Sequence, residues 1–152
     1  MAAGDVDNPQ QFYADIQQAL HDLELGTYKF AFVTSAITPA ANDPDPRWGA
    51  GGSTDYSTAE VTPGGNYAAG GVTLLNPTVT LVSGRGRTDF GDVDIVQDAA
   101  NPNNARWAIV YNDDANKRVT HIIDLGSNID LTSGPFAWSW NTSGAHEIGA
   151  AA

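Results

Sequence analysis

The chain has 152 residues, a length that suits one domain and excludes two sizeable ones. Hydrophobic residues make up 41%, enough for a core, and eighteen Asp and Glu against seven Lys and Arg leave a net charge of −11. That charge repels phosphate backbones and anionic lipid surfaces, so neither nucleic acid nor membrane is expected as a partner. The absence of cysteine excludes a disulfide framework, a thiolate nucleophile and a cysteine-based metal site.

Residues 1–8 read as a flexible N-terminal segment. Met1-Ala2-Ala3-Gly4-Asp5 offers no basic n-region and no apolar h-region, so signal-peptide export is not expected. Asn8-Pro9 then reads as an N-cap followed by proline at the first helical position. Phe12, Ile16, Ala19, Leu20 and Leu23 recur at spacings of three and four up to Gly26, which predicts an amphipathic helix over 9–25. Its outer face would carry Asp15, Gln18, Asp22 and Glu24.

Everything after Gly26 reads as β structure punctuated by Gly and Pro. Tyr28 to Thr34 is a strand rich in aromatic and β-branched residues. Ala36 to Gly52 is a long Pro/Gly loop, and Ser57 to Val61 a short strand or turn. Gly70 to Leu75 and Val79 to Val82 are strands, with a turn at Ser83-Gly84-Arg85-Gly86. Thr88 to Val96 alternates, with a register break near Gly91. The clearest hairpin joins Ala105–Tyr111 to Arg118–Asp124 across an Asn/Asp loop, with Trp107, Ile109 and Tyr111 on one face and Ala108 and Val110 on the other. Phe136 to Asn141 is a strand with Phe136, Trp138 and Trp140 on one face. Gly144 to Ile148 is a short last strand, and 149–152 a tail. Some seven to nine short strands at this spacing predict a mainly β fold. The expected architecture is one antiparallel β-sandwich domain over 9–148, jelly-roll-like, with one N-terminal helix.

Chemistry-bearing patterns are sparse. Asp89, Asp92, Asp94 and Asp98 form the densest acidic stretch, and Asp92 and Asp94 would share a strand face. They suit a calcium site or a hydrolytic pair only weakly, since the spacing of a calcium-binding EF-hand loop is absent, and a solvated strand face explains them. Asp113-Asp114 and the Asp43 to Asp45 loop read as turns. His21, His121 and His146 do not cluster in sequence: His21 reads as helix surface, His121 as a packed strand residue, and His146 as pointing away from Glu147. No nucleophile elbow or phosphate loop occurs. No catalytic residue, cofactor or metal site is therefore expected. Arg85 and Arg87 form a basic pair on an acidic chain and are candidate contacts to a negative surface. Trp48, beside Arg47 in a Pro/Gly loop, is a candidate interface anchor. Trp107, Trp138 and Trp140 read as core, with sugar stacking the alternative.

Six elements in fixed order resemble a group of small tailed-phage virion structural proteins. They are Thr27–Ala36, Tyr67–Leu74, Asp89–Val93, Ala105–Tyr111, Ile122–Gly126 and Gly134–Trp140. The resemblance spans most of 9–148 and implies a structural role rather than an enzyme. It departs at Ile95-Val96, where those proteins commonly carry Trp or Tyr. What it implies is a capsid decoration (cement) protein. Such a protein binds the major capsid protein between capsomers and stabilises the head against internal pressure. It would be made in the host cytoplasm and reside on the virion surface, with homo-oligomerisation expected and a trimer favoured. Arg47, Trp48, Arg85 and Arg87 are the expected contacts, with Phe12 and Ile16 as an alternative buried anchor. A tail or head-fibre component and a carbohydrate-binding adhesion module are the other expectations.

Overall fold

A computed structural model describes residues 1–149. The chain forms, in order, strand β1 (Val6–Asp7), helix α1 (Gln10–Gln17), β2 (Tyr28–Val33), β3 (Pro46–Arg47) and β4 (Thr54–Asp55), then a 3-10 turn (Tyr56–Ala59). The rest comprises β5 (Val72–Thr73), β6 (Thr78–Val82), β7 (Arg85–Asp89), β8 (Val93–Ile95), β9 (Ala105–Asn112), β10 (Arg118–Ile129), β11 (Phe136–Trp138) and β12 (His146–Gly149). The fold is mainly β and sandwich-like, with one N-terminal helix.

The backbone of the molecule is the predicted hairpin. β9 pairs β10 on one side and β2 on the other, both antiparallel, in a seven-stranded sheet ordered β4-β3-β10-β9-β2-β5, with β1 also on β10. Both faces are buried along β2, β9 and the first half of β10, which is why these segments read as nearly continuous apolar runs. On one face Tyr28, Phe30, Phe32, Ala108, Val110 and Ile123 pack with Val93, Ile95 and Phe136 from the small sheet β11-β8 and with Phe90 from the bend between β7 and β8. On the other, Trp107, Ile109, Tyr111 and Ile122 are covered by Trp48 from the long loop and Tyr56 from the 3-10 turn. The alternation expected along β9 therefore holds, with a separate core on each side.

Several boundaries shift for local reasons. The helix is half its expected length. Pro9, not Asn8, is the N-cap and makes no side-chain cap bond, while Asn8 Nδ2 donates to the Thr120 carbonyl 2.7 Å away. The helix stops at Gln17 because Ala19 turns into the left-handed region at φ 55°, and Asp22 then caps a turn by accepting from Leu25 N at 2.8 Å. Leu23 packs on the core from this loop rather than from a helix. The N-terminal segment, expected to be flexible, is held: Val6 and Asp7 pair with Ile123 and Ile122. Residues 88–96 divide at Gly91, so that β7 and β8 join different sheets. The last strand includes Gly149, and the expected tail beyond it lies outside the described residues.

Two glycines separate two kinds of strain. Gly71 adopts φ +88°, and a Cβ there would run into the Phe30 carbonyl and lie 2.7 Å from Ala31. Gly84 has φ +79° but faces open space. Gly71→Ala is expected to lower unfolding stability by about 3 kcal/mol or more, and Gly84→Ala by only about 1 kcal/mol. Urea denaturation midpoints of the two variants check the contrast.

Candidate functional site: a histidine cluster and a projecting sheet

The three histidines, scattered in sequence, converge on one aromatic ring. Phe12, on the inner face of α1, lies with its centroid 5.4 Å from His21, 5.9 Å from His121 and 4.9 Å from His146. His21 enters from the loop after α1, His121 from a bulge in β10, and His146 from β12. His21 is therefore core rather than helix surface, contrary to the expectation from its neighbours.

The protons follow from the hydrogen-bond partners. Thr120 Oγ1 reaches the Val110 carbonyl at 3.3 Å and His121 Nδ1 at 2.9 Å. With that hydroxyl donating to the carbonyl, His121 Nδ1–H donates to Thr120, and His121 Nε2 accepts from His146 Nδ1–H at 3.1 Å. His21 Nδ1 accepts from Asn112 Nδ2 at 3.2 Å, which puts its proton on Nε2. That Nε2 lies 3.6 Å from Asp15 Oδ2, too far for a hydrogen bond. His21 Nε2 and His146 Nε2 are thus buried with no hydrogen-bond partner among the described residues.

Asp15, predicted on the outer helix face, is buried. Arg118 Nη1 reaches both its oxygens, at 3.1 and 3.2 Å, and also Asp45 Oδ1 at 3.1 Å, while Gln11 Nε2 donates to Asp15 at 2.8 Å. One arginine on β10 thereby ties α1 to the long loop.

Burial holds all three histidines neutral. It is the largest cause for each. For His121 the neighbouring His146 and His21 add to it, and for His146 the neighbour is His21, bringing its value down to about 4. For His21 the nearby Asp15 opposes burial and Arg118 reinforces it, with a net lowering. Each folded value lies below the unfolded one, so the stability gained from neutrality is fully present above about pH 6.5 and is lost as pH falls. The melting temperature is expected to drop steadily from pH 6.5 to about 4, with His146 alone accounting for on the order of 3 kcal/mol. Thermal melts of the wild type and of His146→Gln across that range check this: the variant is expected to show a shallower dependence. Asp15→Ala, which leaves Arg118 with Asp45 as its remaining carboxylate partner, is expected to cost about 2 kcal/mol at neutral pH by chemical denaturation.

The expected contact residues fall into three groups. Trp48 is not an exposed anchor: it is 4% exposed and stacks parallel on Tyr111 at 5.2 Å, closing the second core. Phe12 is likewise consumed inside the chain, and Ile16 beside it is half-buried. Arg47 folds back on Asp45 through Nε at 3.1 Å and Nη2 at 2.9 Å. Arg85 and Arg87 alone stand together on a projecting element, the sheet β6-β7-β12. Arg87 donates twice to Glu147 Oε1, at 3.0 and 2.9 Å, and Arg85 lies 3.8 Å from Glu147 Oε2.

The opposite face of that sheet was not singled out by sequence. Val79, Thr88 and His146 form one cross-strand row, and Leu81, Gly86 and Ile148 the next. Thr88 and His146 are buried against the cluster, whereas Leu81 is 80% exposed and Ile148 38%. The inner face of the sheet therefore runs past the edge of the core into solvent, and Gly86 leaves Leu81 and Ile148 flanking an open slot. The available signal was the uncharged run Thr78–Val82 before a two-residue turn. Ser83 and Gly84 take φ 52° and 79°, as a type I′ hairpin requires.

Other candidates are absorbed by structure. Asp92 accepts from Ser139 Oγ at 3.1 Å, and Asp114 Oδ2 from Thr27 N at 2.6 Å. Asp113 lies within 4 Å of both Lys29 and Lys117. No group of three or more His, Asp or Glu side chains is arranged to hold a metal among the described residues, and no helix there is long and apolar enough to cross a membrane. A groove of about 510 Å³ is lined by Asp5, Trp138, Ser139, Trp140, Asn141 and Glu147. Its two indoles meet edge to face at 82° and are partly buried, so they do not form the flat exposed platform that sugar stacking needs. No family model, no curated protein and no solved structure matches the chain.

Proposed function

We propose that the chain is a structural component of a tailed-phage virion, a capsid decoration protein that binds the major capsid protein between capsomers and stabilises the head. The observation that carries this reading is the projecting sheet β6-β7-β12. Its apolar inner face is continuous with the core yet uncovered at Leu81 and Ile148, and its outer face carries Arg85 and Arg87. A rigid β body presenting an apolar strip and arginines suits a role that consists of being covered by another protein. The six in-order sequence elements support the same reading. Repetition on a symmetric shell multiplies modest individual contacts.

The test is to add purified protein to heads that lack it. Saturable binding at a stoichiometry set by shell symmetry, with a raised head melting temperature, is the expected result. Leu81→Asp is expected to weaken binding by about tenfold or more, because it removes one buried leucine and leaves an unpaired charge in its place. Arg85→Glu is expected to weaken binding and to reduce its salt dependence. Binding to tails or to glycans with none to heads would overturn the decoration reading.

A further inference from the structure

We infer that strand β6 is a dimerisation edge, on which a second copy of this chain adds its own β6 antiparallel about a two-fold axis at Thr80. The inference rests on reading β6-β7-β12 as a contact surface, and it assigns to that surface a specific partner. β6 is the outer strand of its sheet, and among the described residues no other element bonds to Thr78–Val82 beyond β7. It carries no charge, no proline and no bulge, the devices that ordinarily blunt an exposed edge.

The hairpin fixes which groups face outward. Val82 and Arg85 flank the two-residue turn and form its closing hydrogen-bonded pair, so Thr80 and Arg87 are bonded as well. The N–H and C=O groups of Val79 and Leu81 therefore point away from β7. With the axis at Thr80, Val79 meets Leu81 of the second copy, and Leu81 meets its Val79. Every outward group in the strand interior then finds a partner, in two mutually bonded pairs. Sliding two residues one way brings in Pro77, which has no N–H to donate, and sliding the other way runs into the turn at Ser83.

The side chains agree with this register. Val79 and Leu81 occupy the apolar face, 41% and 80% exposed, and would pack across the axis on their counterparts. Charge agrees as well. Across β6, β7 and β12, Arg85 and Arg87 balance Asp89 and Glu147, so this sheet is neutral on a chain of net −11. Two copies repel less here than bulk charge implies. The product is a six-stranded sheet with a doubled apolar strip.

The chain has no cysteine, so a single introduced one reports the geometry cleanly. At the axis Thr80 faces its own copy in a non-bonded antiparallel pair, about 4.5 Å between Cα atoms, within the range for a disulfide. Thr78 lies about 13 Å from its own copy in the same register. Sedimentation of the full chain from micromolar to millimolar is expected to show a concentration-dependent dimer. Under mild oxidation Thr80→Cys is expected to form a covalent dimer about tenfold or more faster than Thr78→Cys. Leu81→Lys is expected to raise the dimer dissociation constant about tenfold or more, with its circular dichroism unchanged. A chain that stays monomeric throughout overturns the inference. So does a dimer or trimer in which Thr80→Cys links no faster than Thr78→Cys, since association then uses another surface. Head binding is scored separately, so saturation of heads by a monomer overturns the dimer edge alone.

Discussion

Phe12 sits among three neutral histidines, and that contact joins parts of the chain that share no sequence proximity. Around the one ring lie side chains from α1, the loop after it, the middle of β10, and β12 near the end of the chain. The eight-residue helix is too short to be stable alone, so its order comes from burying Phe12 and from the Asp15–Arg118 ion pair. β12 in turn places β7 and β6, because the three form one sheet whose inner end is buried through Thr88 and His146. Whatever protonates the cluster therefore loosens the helix and the projecting sheet together.

The large sheet imposes a second constraint. β9, β2 and the first half of β10 are buried on both faces, and a single layer of smaller sheets covers only one of them. The long Pro/Gly loop closes the other face with Trp48 stacked on Tyr111, and the 3-10 turn that follows adds Tyr56. This explains why an aromatic in a loop, which suggests an anchor for a partner, is instead an anchor for the chain itself. It also explains why the loop is pinned by ion pairs: Asp45 accepts from both Arg47 and Arg118.

These constraints leave the apolar face of β6 and β12 uncovered at Leu81 and Ile148. The surplus negative charge on the rest of the molecule disfavours contact there between like-charged copies. The neutral sheet with its bare edge and exposed leucine is where contact costs least. A pairing edge and an apolar face on one sheet can act together: the edge fixes the register of an added strand, and the face supplies area to bury.

The local physics of short segments was legible in the sequence. Alternation along Ala105–Tyr111 put Trp107, Ile109 and Tyr111 on one face, and the Ser83-Gly84 turn and the break at Gly91 followed from backbone preferences that need no tertiary partner. The overall β character with one N-terminal helix followed from the same local rules. What only the tertiary structure decided was where polar and aromatic side chains end up. Asp15 reads as surface until Arg118, 103 residues away, neutralises it, and His21 reads as surface until Asn112, 91 residues away, bonds it. Trp48 reads as exposed until Tyr111 lies beneath it. A polar group is buried when a partner repays its lost hydration, and that partner is chosen by the fold rather than by neighbours along the chain.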